Sequence, residues 1–356
     1  MELQLYNASM QYRTLGKTGL KVSEIGMGTW QLANDPNFWM GADLKESLKS
    51  LYRYTELGGN FIDTAWVYGY DSKKPDTHPS EELIGKFLKE SRKRDNVILA
   101  TKVAPKNFKW PALHGVPISE VFPDEYIEKL VDDSLRGLGV DSIDVVYFHV
   151  WQDDFAREDG WKEVAQKLTK QGKVKYWGIS INDYQPSNCL ETLDTGLISV
   201  VQCIFNIFHQ KPVEKLFPYV KAHNIGLVAR VPFDEGGLTG KFTADTKWPD
   251  GDLRKIYFQG DRLPELVKRT DALKKLMDGE AKTLPELALR FILSFDAVST
   301  TIPGTRRIAN VDANTSVSDG RKLSESLLNT LKNHTWERNF YLGHDPYLEK
   351  TGFVEA

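Results

Sequence analysis

The chain has 356 residues, with 46 Lys plus Arg against 49 Asp plus Glu, a formal charge of −3 and 41% hydrophobic content. That length can bury a sizeable core, and a near-neutral balance without long basic runs argues against nucleic acid as the main partner. No stretch reaches the ~18 continuous apolar residues of a membrane span, and the opening MELQLYNASMQYRTLG lacks a signal-peptide pattern. Cys189 and Cys203 are the only cysteines and lie far apart, which speaks against a disulfide framework and against a thiolate metal site. These features read as a cytoplasmic protein with no membrane partner and no metal.

In chain order, Tyr12 to Val22, with Gly16 and Gly19, suggests a small hairpin ahead of the first strand, SEIGMGTW (23–30). Residues 43–57 predict a helix with Leu44, Leu48, Leu51 and Leu57 on its apolar face and Gly58 as its stop. Strands two and three follow at GNFIDTA (59–65) and VILATKV (97–103), then an overlong connection, 104–123. Asp124 is placed to cap a helix carrying Ile127, Leu130, Val131, Leu135 and Leu138, closed by Gly139. Strands four to seven are IDVVYFHV (143–150), VKYWGISI (174–181), VVQCIF (200–205) and GLVARVP (226–232). A second long connection, 233–284, leads to a helix with Thr283 and Glu286 at capping-box spacing and Pro285 in its first turn. Strand eight is VSTTIPG (298–304).

Each run is short, apolar and β-branched, as strands buried on both faces are. Eight of them alternating with amphipathic helices predict a (β/α)8 TIM barrel, with an N-terminal β-hairpin at its bottom and long loops after strands 3 and 7. A doubly wound sheet is the competitor, but no Gly-rich dinucleotide fingerprint follows an early strand. No internal repeat or linker interrupts the pattern, so 1–356 reads as one domain with its core at about 12–331.

Chemistry on such a barrel gathers where strands end. Asp63 stands at the end of strand two, Lys102 in strand three, His149 in strand four, Ser180 at the end of strand five, Gln202 in strand six and Arg230 in strand seven, with Tyr68 five residues past Asp63. An ionisable group inside an apolar run must find a partner or shift its pKa. A Tyr titrates near ~10; a neighbouring Lys⁺ would lower that value, and bringing it to near 7 represents about 4 kcal/mol. A His beside it could orient a carbonyl oxygen and pass a proton to the Tyr. No side chain supplies hydride, so the chemistry these residues suggest requires a cofactor.

NFIDTAWVYG (60–69), ATKV (100–103), YFHVWQDD (147–154), KYWGIS (175–180) and TIPGTRRIANVDAN (301–314) resemble the ordered signatures of the aldo-keto reductases. Within that family the chain looks closest to the bacterial stress-protein and potassium-channel β-subunit branch. The resemblance implies the same barrel, NADPH-dependent carbonyl reduction (NADH possible), and a tetrad falling on Asp63, Tyr68, Lys102 and His149. It also implies that Ser180 and Gln202 meet the nicotinamide carboxamide, and that the Gly28, Thr29 and Trp30 backbone lies beside the ring. Pyrophosphate would lie under Val231, Pro232, Phe233 and the GGLTGK turn, with Gly237, Lys241 and backbone N–H groups meeting the anion. Thr305, Arg306, Asn310 and Asn314 would meet the adenosine end; Arg306, with Arg307 beside it, favours the extra phosphate of NADPH.

Three positions depart from the family pattern. The usual Ser-Asn pair is spread out as Ser180-Ile181-Asn182, the ring-stacking aromatic is replaced by Arg230, and Gly304 stands where a basic residue is common. Arg230 is expected to stack on the ring or to touch pyrophosphate, with a structural ion pair as the equal alternative.

Trp30, Trp66, Phe108, Trp110 and Trp151 all follow strands and are expected, with Tyr68 and His149, to wall a substrate pocket. Loops 104–123 and 233–262 and the aromatic tail with Trp336, Phe340 and Tyr341 would set specificity. The expected partner is a small-molecule carbonyl or alcohol. The alternatives are a sugar or alcohol dehydrogenase working oxidatively with NAD(P), and a nucleotide-binding redox sensor with little turnover. A nucleoside triphosphatase is disfavoured because GGLTGKF lacks P-loop spacing.

Overall fold

The computed structural model describes residues 10–33, 35, 38–341 and 343. It opens with an antiparallel hairpin, β1 (Tyr12–Thr14) and β2 (Lys21–Ser23), Tyr12 opposite Ser23. The hairpin's turn is pressed into the barrel: a Cβ on Gly16, at φ 50°, would fall 2.1 Å from the Gly226 backbone nitrogen, so only glycine fits. Leu15 is fully buried there and packs with Val22, Phe61, Val145 and Val228 in the barrel's interior.

Eight parallel strands follow in sequence order: β3 (Met27–Gly28), β4 (Phe61–Asp63), β5 (Ile98–Val103), β6 (Ile143–Phe148), β7 (Val174–Ser180), β8 (Ile198–Ile204), β9 (Gly226–Arg230) and β10 (Thr300–Thr301). The circle closes where Gly26 N–H donates to Thr301 O at 2.7 Å and Gly28 N–H to Pro303 O at 3.1 Å. Each strand runs the same way, so all their carboxyl ends open on one face.

Outside lie α1 (Leu44–Glu56), α2 (Pro79–Ser91), α3 (Ile118–Val121), α4 (Asp124–Leu138), α5 (Gly160–Lys170), α6 (Leu190–Asp194), α7 (Leu216–Ala222), α8 (Leu253–Tyr257), α9 (Arg262–Lys274), α10 (Leu284–Leu293), α11 (Ile308–Thr315) and α12 (Glu325–Leu331). A large apolar layer seals them to the strands, each fully buried Leu, Ile, Val or Phe stabilising by about 1.5–3 kcal/mol. Thr283 caps α10 by accepting from Glu286 N–H at 3.2 Å, while the Glu286 carboxylate reaches back to Lys282 N–H rather than to the cap residue.

Several local expectations shift. Leu44 is 52% exposed; Asp43 starts α1 by accepting from Lys45 N–H, and Leu51 and Tyr54 carry the buried face. Asp124 is the first residue of α4 rather than its cap, since extended Pro123 precedes it, and its carboxylate there suits the helix dipole. Gly139 ends α4 in the left-handed conformation as expected. The two long connections are not bare loops: 104–123 carries α3, and 233–284 carries α8 and α9.

Candidate active site

Alternation along β5 decides where its polar residues go. Ala100 joins the interior cluster, so Lys102, two residues on, also faces inward, whereas Thr101 points out and donates to Glu81 of α2 at 2.6 Å. Lys102 is 1% exposed, and an ammonium there must be satisfied. Its Nζ donates to Asp63 Oδ1 at 2.5 Å, to the Thr64 carbonyl at 2.7 Å and to the Tyr68 hydroxyl at 3.5 Å. Gln202 Nε2 donates to the other Asp63 oxygen at 2.7 Å. Burial pushes the Asp63 carboxyl up and the Lys102 ammonium down, and each partner opposes the other's shift.

Tyr68 reaches this pair because the chain leaving β4 runs on beside β5. Thr64 N–H donates to Ala100 O at 2.8 Å, Trp66 N–H to Lys102 O at 3.3 Å, and Tyr68 N–H closes a turn onto Ala65 O at 3.0 Å. His149, the first residue past β6, is fixed by its N–H on Val103 O at 3.0 Å. Its ring stands edge-on to Tyr68, 5.8 Å between centroids, and its buried Nδ1 has no hydrogen-bond partner among the described residues. Burial, then the charges of Lys102 and Arg230, hold its pKa well below the usual value, so the ring is neutral at pH 7.

The Tyr68 pKa runs opposite to the expectation. Burial, and next the Asp63 charge, push it up. The physical reason is that Lys102 gives its short bonds to Asp63 and Thr64 and only its long one to the phenol.

Trp30 stacks on Tyr68 (5.7 Å, 17°), and Trp110 meets His149 at right angles (5.9 Å), so both lie at this site. Trp66 and Trp151 do not wall it. Trp151 is fully buried against Phe148 and Trp161 with its Nε1 on Thr192, and buried Trp66 donates to Asp133 in the helical layer. Phe108 is exposed and stacks on Tyr70. Cys203 is packed in β8, its thiol pushed up to about 12 by burial.

Convergence of a buried carboxylate, an ammonium, a phenol and a neutral imidazole at the carboxyl end of a parallel barrel is a proton-handling arrangement. A family model for the aldo/keto reductase family matches residues 24–335. The chain belongs to the aldo/keto reductase family. Aldo-keto reductase YhdN of Bacillus subtilis is 29% identical over 338 residues, covering 92% of this chain and 95% of that one. A probable voltage-gated potassium channel subunit beta of Arabidopsis thaliana is 27% identical over 321 residues, covering 87% and 92%. The holo form of aldo-keto reductase AKR11C1 from Bacillus halodurans superposes with a TM-score of 0.68 at 28% identity, covering 94% and 99%.

As an aldo/keto reductase the protein is an NAD(P)H-dependent oxidoreductase, so its upper face is tested for a nicotinamide nucleotide. The end beyond β10 fits a phosphate. Among the described residues Arg306 forms no ion pair and donates to the Met40 carbonyl at 2.8 Å; burial and the neighbouring Arg254 and Arg307 hold its pKa below the usual value, with Asp252 opposing them. Thr305 and Asn314 are buried; Asn310 and Arg307 are exposed. At the end where the resemblance implies the nicotinamide, the barrel offers Ser180 opposite Gln202, half-exposed Gly28 beside buried Thr29, and half-exposed Gly304 bridged to Gly28. Gln202 is, however, already bound to Asp63.

The GGLTGK turn fits less well. The N–H groups of Gly236, Gly237, Leu238, Thr239 and Gly240 all donate to carbonyls within 233–237, which leaves exposed Lys241 as its cation. Buried Asp234 and Glu235 stand beneath. Ahead of the turn, Val231 sits at φ 55°, a strain of about 1–3 kcal/mol for a β-branched residue, between Arg230 and buried Pro232, with half-exposed Phe233 next.

Arg230 forms the ion pair, with its Nη2 on Asp183 at 2.8 Å and on the Ile181 carbonyl at 3.0 Å, and its buried Nε has no partner among the described residues. Sequence reasoning missed a tail network. Arg338 pairs with fully buried Asp234, Tyr341 donates to Glu235, and the Arg338 guanidinium lies over the Trp336 ring at 4.4 Å and near that of Phe340 at 5.2 Å. The run of aromatics around a lone arginine is the signal that could have shown it.

Proposed function

We propose that the protein reduces an aldehyde or ketone to the alcohol, with NADPH as the preferred reductant and Tyr68 as proton donor. The carrying observation is the Asp63–Lys102–Tyr68–His149 assembly at one barrel mouth. When bound, the reduced nicotinamide supplies the hydride. Tyr68, its phenol held protonated by burial, gives its proton to the carbonyl oxygen as negative charge develops there. Lys102 sits where its charge stabilises the phenolate left behind, and Asp63 with Gln202 keeps that ammonium in place.

His149 acts through a ring N–H that orients the carbonyl. A neutral imidazole donates that hydrogen bond without carrying charge, and of the two roles expected from the sequence we assign it the orienting one. Trp30 and Trp110 flank the Tyr68–His149 pair and exclude water from it. Arg306 favours NADPH over NADH because a half-buried guanidinium with Arg254 and Arg307 nearby suits the additional phosphate. Among the described residues no helix is long and apolar enough to cross a membrane; a cytoplasmic location agrees with a supply of reduced nucleotide.

The test is a panel of aldehydes and ketones followed by NADPH absorbance, with NADH in parallel. The proposal expects turnover of several carbonyls with NADPH at the lower KM; absence of carbonyl-dependent oxidation across the panel would refute it.

A further inference from the structure

The displaced asparagine of the strand-five signature has a partner the family pattern does not call for. Asn182 is 3% exposed and grips both backbone groups of one residue in loop 104–123. Its Oδ1 accepts from Ala112 N–H at 3.0 Å and its Nδ2 donates to Ala112 O at 3.1 Å. Gln152 Nε2 donates to the same carbonyl at 2.8 Å, and Asn188 ties Gln152 to Gln185 with two 2.8 Å bonds. A primary amide bonded to both the N–H and C=O of one residue fixes its orientation as well as its position, as a strand partner would.

That grip is deep while the loop around it is open. Ala112 is 1% exposed, whereas 106–109 are all exposed. Two residues before Ala112, Trp110 stands edge-on to His149. From the C-terminal side Gly343 backs the same loop: a Cβ there would fall 1.5 Å from the Trp110 carbonyl oxygen.

We propose that Asn182 is a positioning residue for the carbonyl substrate: by clamping Ala112 it holds Trp110 as the wall beside His149, and through that wall it selects substrates with a planar apolar group. The substrate meaning rests on the carbonyl-reductase reading; the clamp itself does not. Asn182 is thereby spent on the loop and does not bind the nicotinamide carboxamide.

The experiment uses Asn182→Ala and, as a second variant outside the strand-five loop, Gln152→Ala in the full chain. Amide hydrogen exchange across 106–116, the Kd for NADPH from protein fluorescence, and KM and kcat for benzaldehyde and acetaldehyde are measured. Expected for Asn182→Ala are about tenfold faster exchange at Ala112 and about tenfold higher KM for benzaldehyde. The kcat, the acetaldehyde KM and the NADPH Kd should stay within about twofold, and Gln152→Ala should move the same quantities less far. A weakened NADPH Kd with the benzaldehyde KM unmoved, or unchanged Ala112 exchange in both variants, overturns the proposal. If wild type reduces neither aldehyde nor any other carbonyl, the functional reading and the substrate role fall with it, and the exchange result alone decides the clamp.

Discussion

Lys102 Nζ lies 3.5 Å from the Tyr68 hydroxyl and only 2.5 Å from Asp63 Oδ1, so the ammonium belongs first to the carboxylate and touches the phenol at the edge of hydrogen-bond range. The pair is 1% exposed on both sides. Removing one partner strands the other charge in the barrel, which costs about 3–5 kcal/mol. Lys102→Met should therefore lower unfolding free energy by that order, and Asp63→Asn combined with Lys102→Met should lower it less. Urea unfolding of the single and double variants measures this; a double variant weaker than Lys102→Met would contradict it.

Arg306 should discriminate between nucleotides. Arg306→Ala should weaken NADPH binding about tenfold or more while leaving NADH within about twofold, as the proposed contact between this guanidinium and the extra phosphate requires. Fluorescence titration with both nucleotides at fixed ionic strength checks it; equal loss for both would place Arg306 elsewhere.

Glu81 gives stability an opposite pH dependence to that of a surface carboxylate. It is fully buried and accepts from Thr101 at 2.6 Å; burial raises its pKa to about 7 against the opposing hydrogen bonds from Thr101 and Ser134, with Asp133 and Glu82 adding to the rise. With the folded value above the unfolded one, the folded state holds the proton longer, and this contribution is lost as pH rises from about 4.5 through about 7. Glu81→Gln keeps an acceptor for Thr101 and cannot ionise. Its melting temperature should gain on wild type steadily from pH 5 to pH 8; a constant difference would contradict the shift.

His149, neutral because burial and two nearby cations oppose its protonation, should add no acid limb to kcat/KM near its ordinary ~6.5. His149→Asn retains an N–H donor and should keep more activity than His149→Ala, by about tenfold. A limb near 6.5 that vanishes in His149→Asn would restore the proton-relay role.

The barrel was readable because each strand is a short apolar run and each helix a periodic one, and parallel strands announce themselves that way. The first and last strands were readable mainly from position, for β3 and β10 are two residues each and their closure runs through Gly28 and Gly304. Trp110 and Trp151 looked alike, both in connections that follow a strand. Alternation would have put Trp151 on the face of His149, but β6 ends at Phe148, and the turning chain sends Trp151 back into the helical layer. Asn182 was legible as a departure and illegible in its role, since its partner is a backbone unit seventy residues away. Likewise the order of the strands brings Lys102 and Tyr68 to one barrel mouth, but does not say which oxygen receives the lysine's shortest bond.

The central claim, that Tyr68 delivers the proton, is tested most directly by single-turnover NADPH oxidation in Tyr68→Phe with an aldehyde that wild type reduces. The account predicts a rate lower by about 10²–10⁴ with the NADPH Kd within about twofold of wild type. A rate near that of wild type would contradict it.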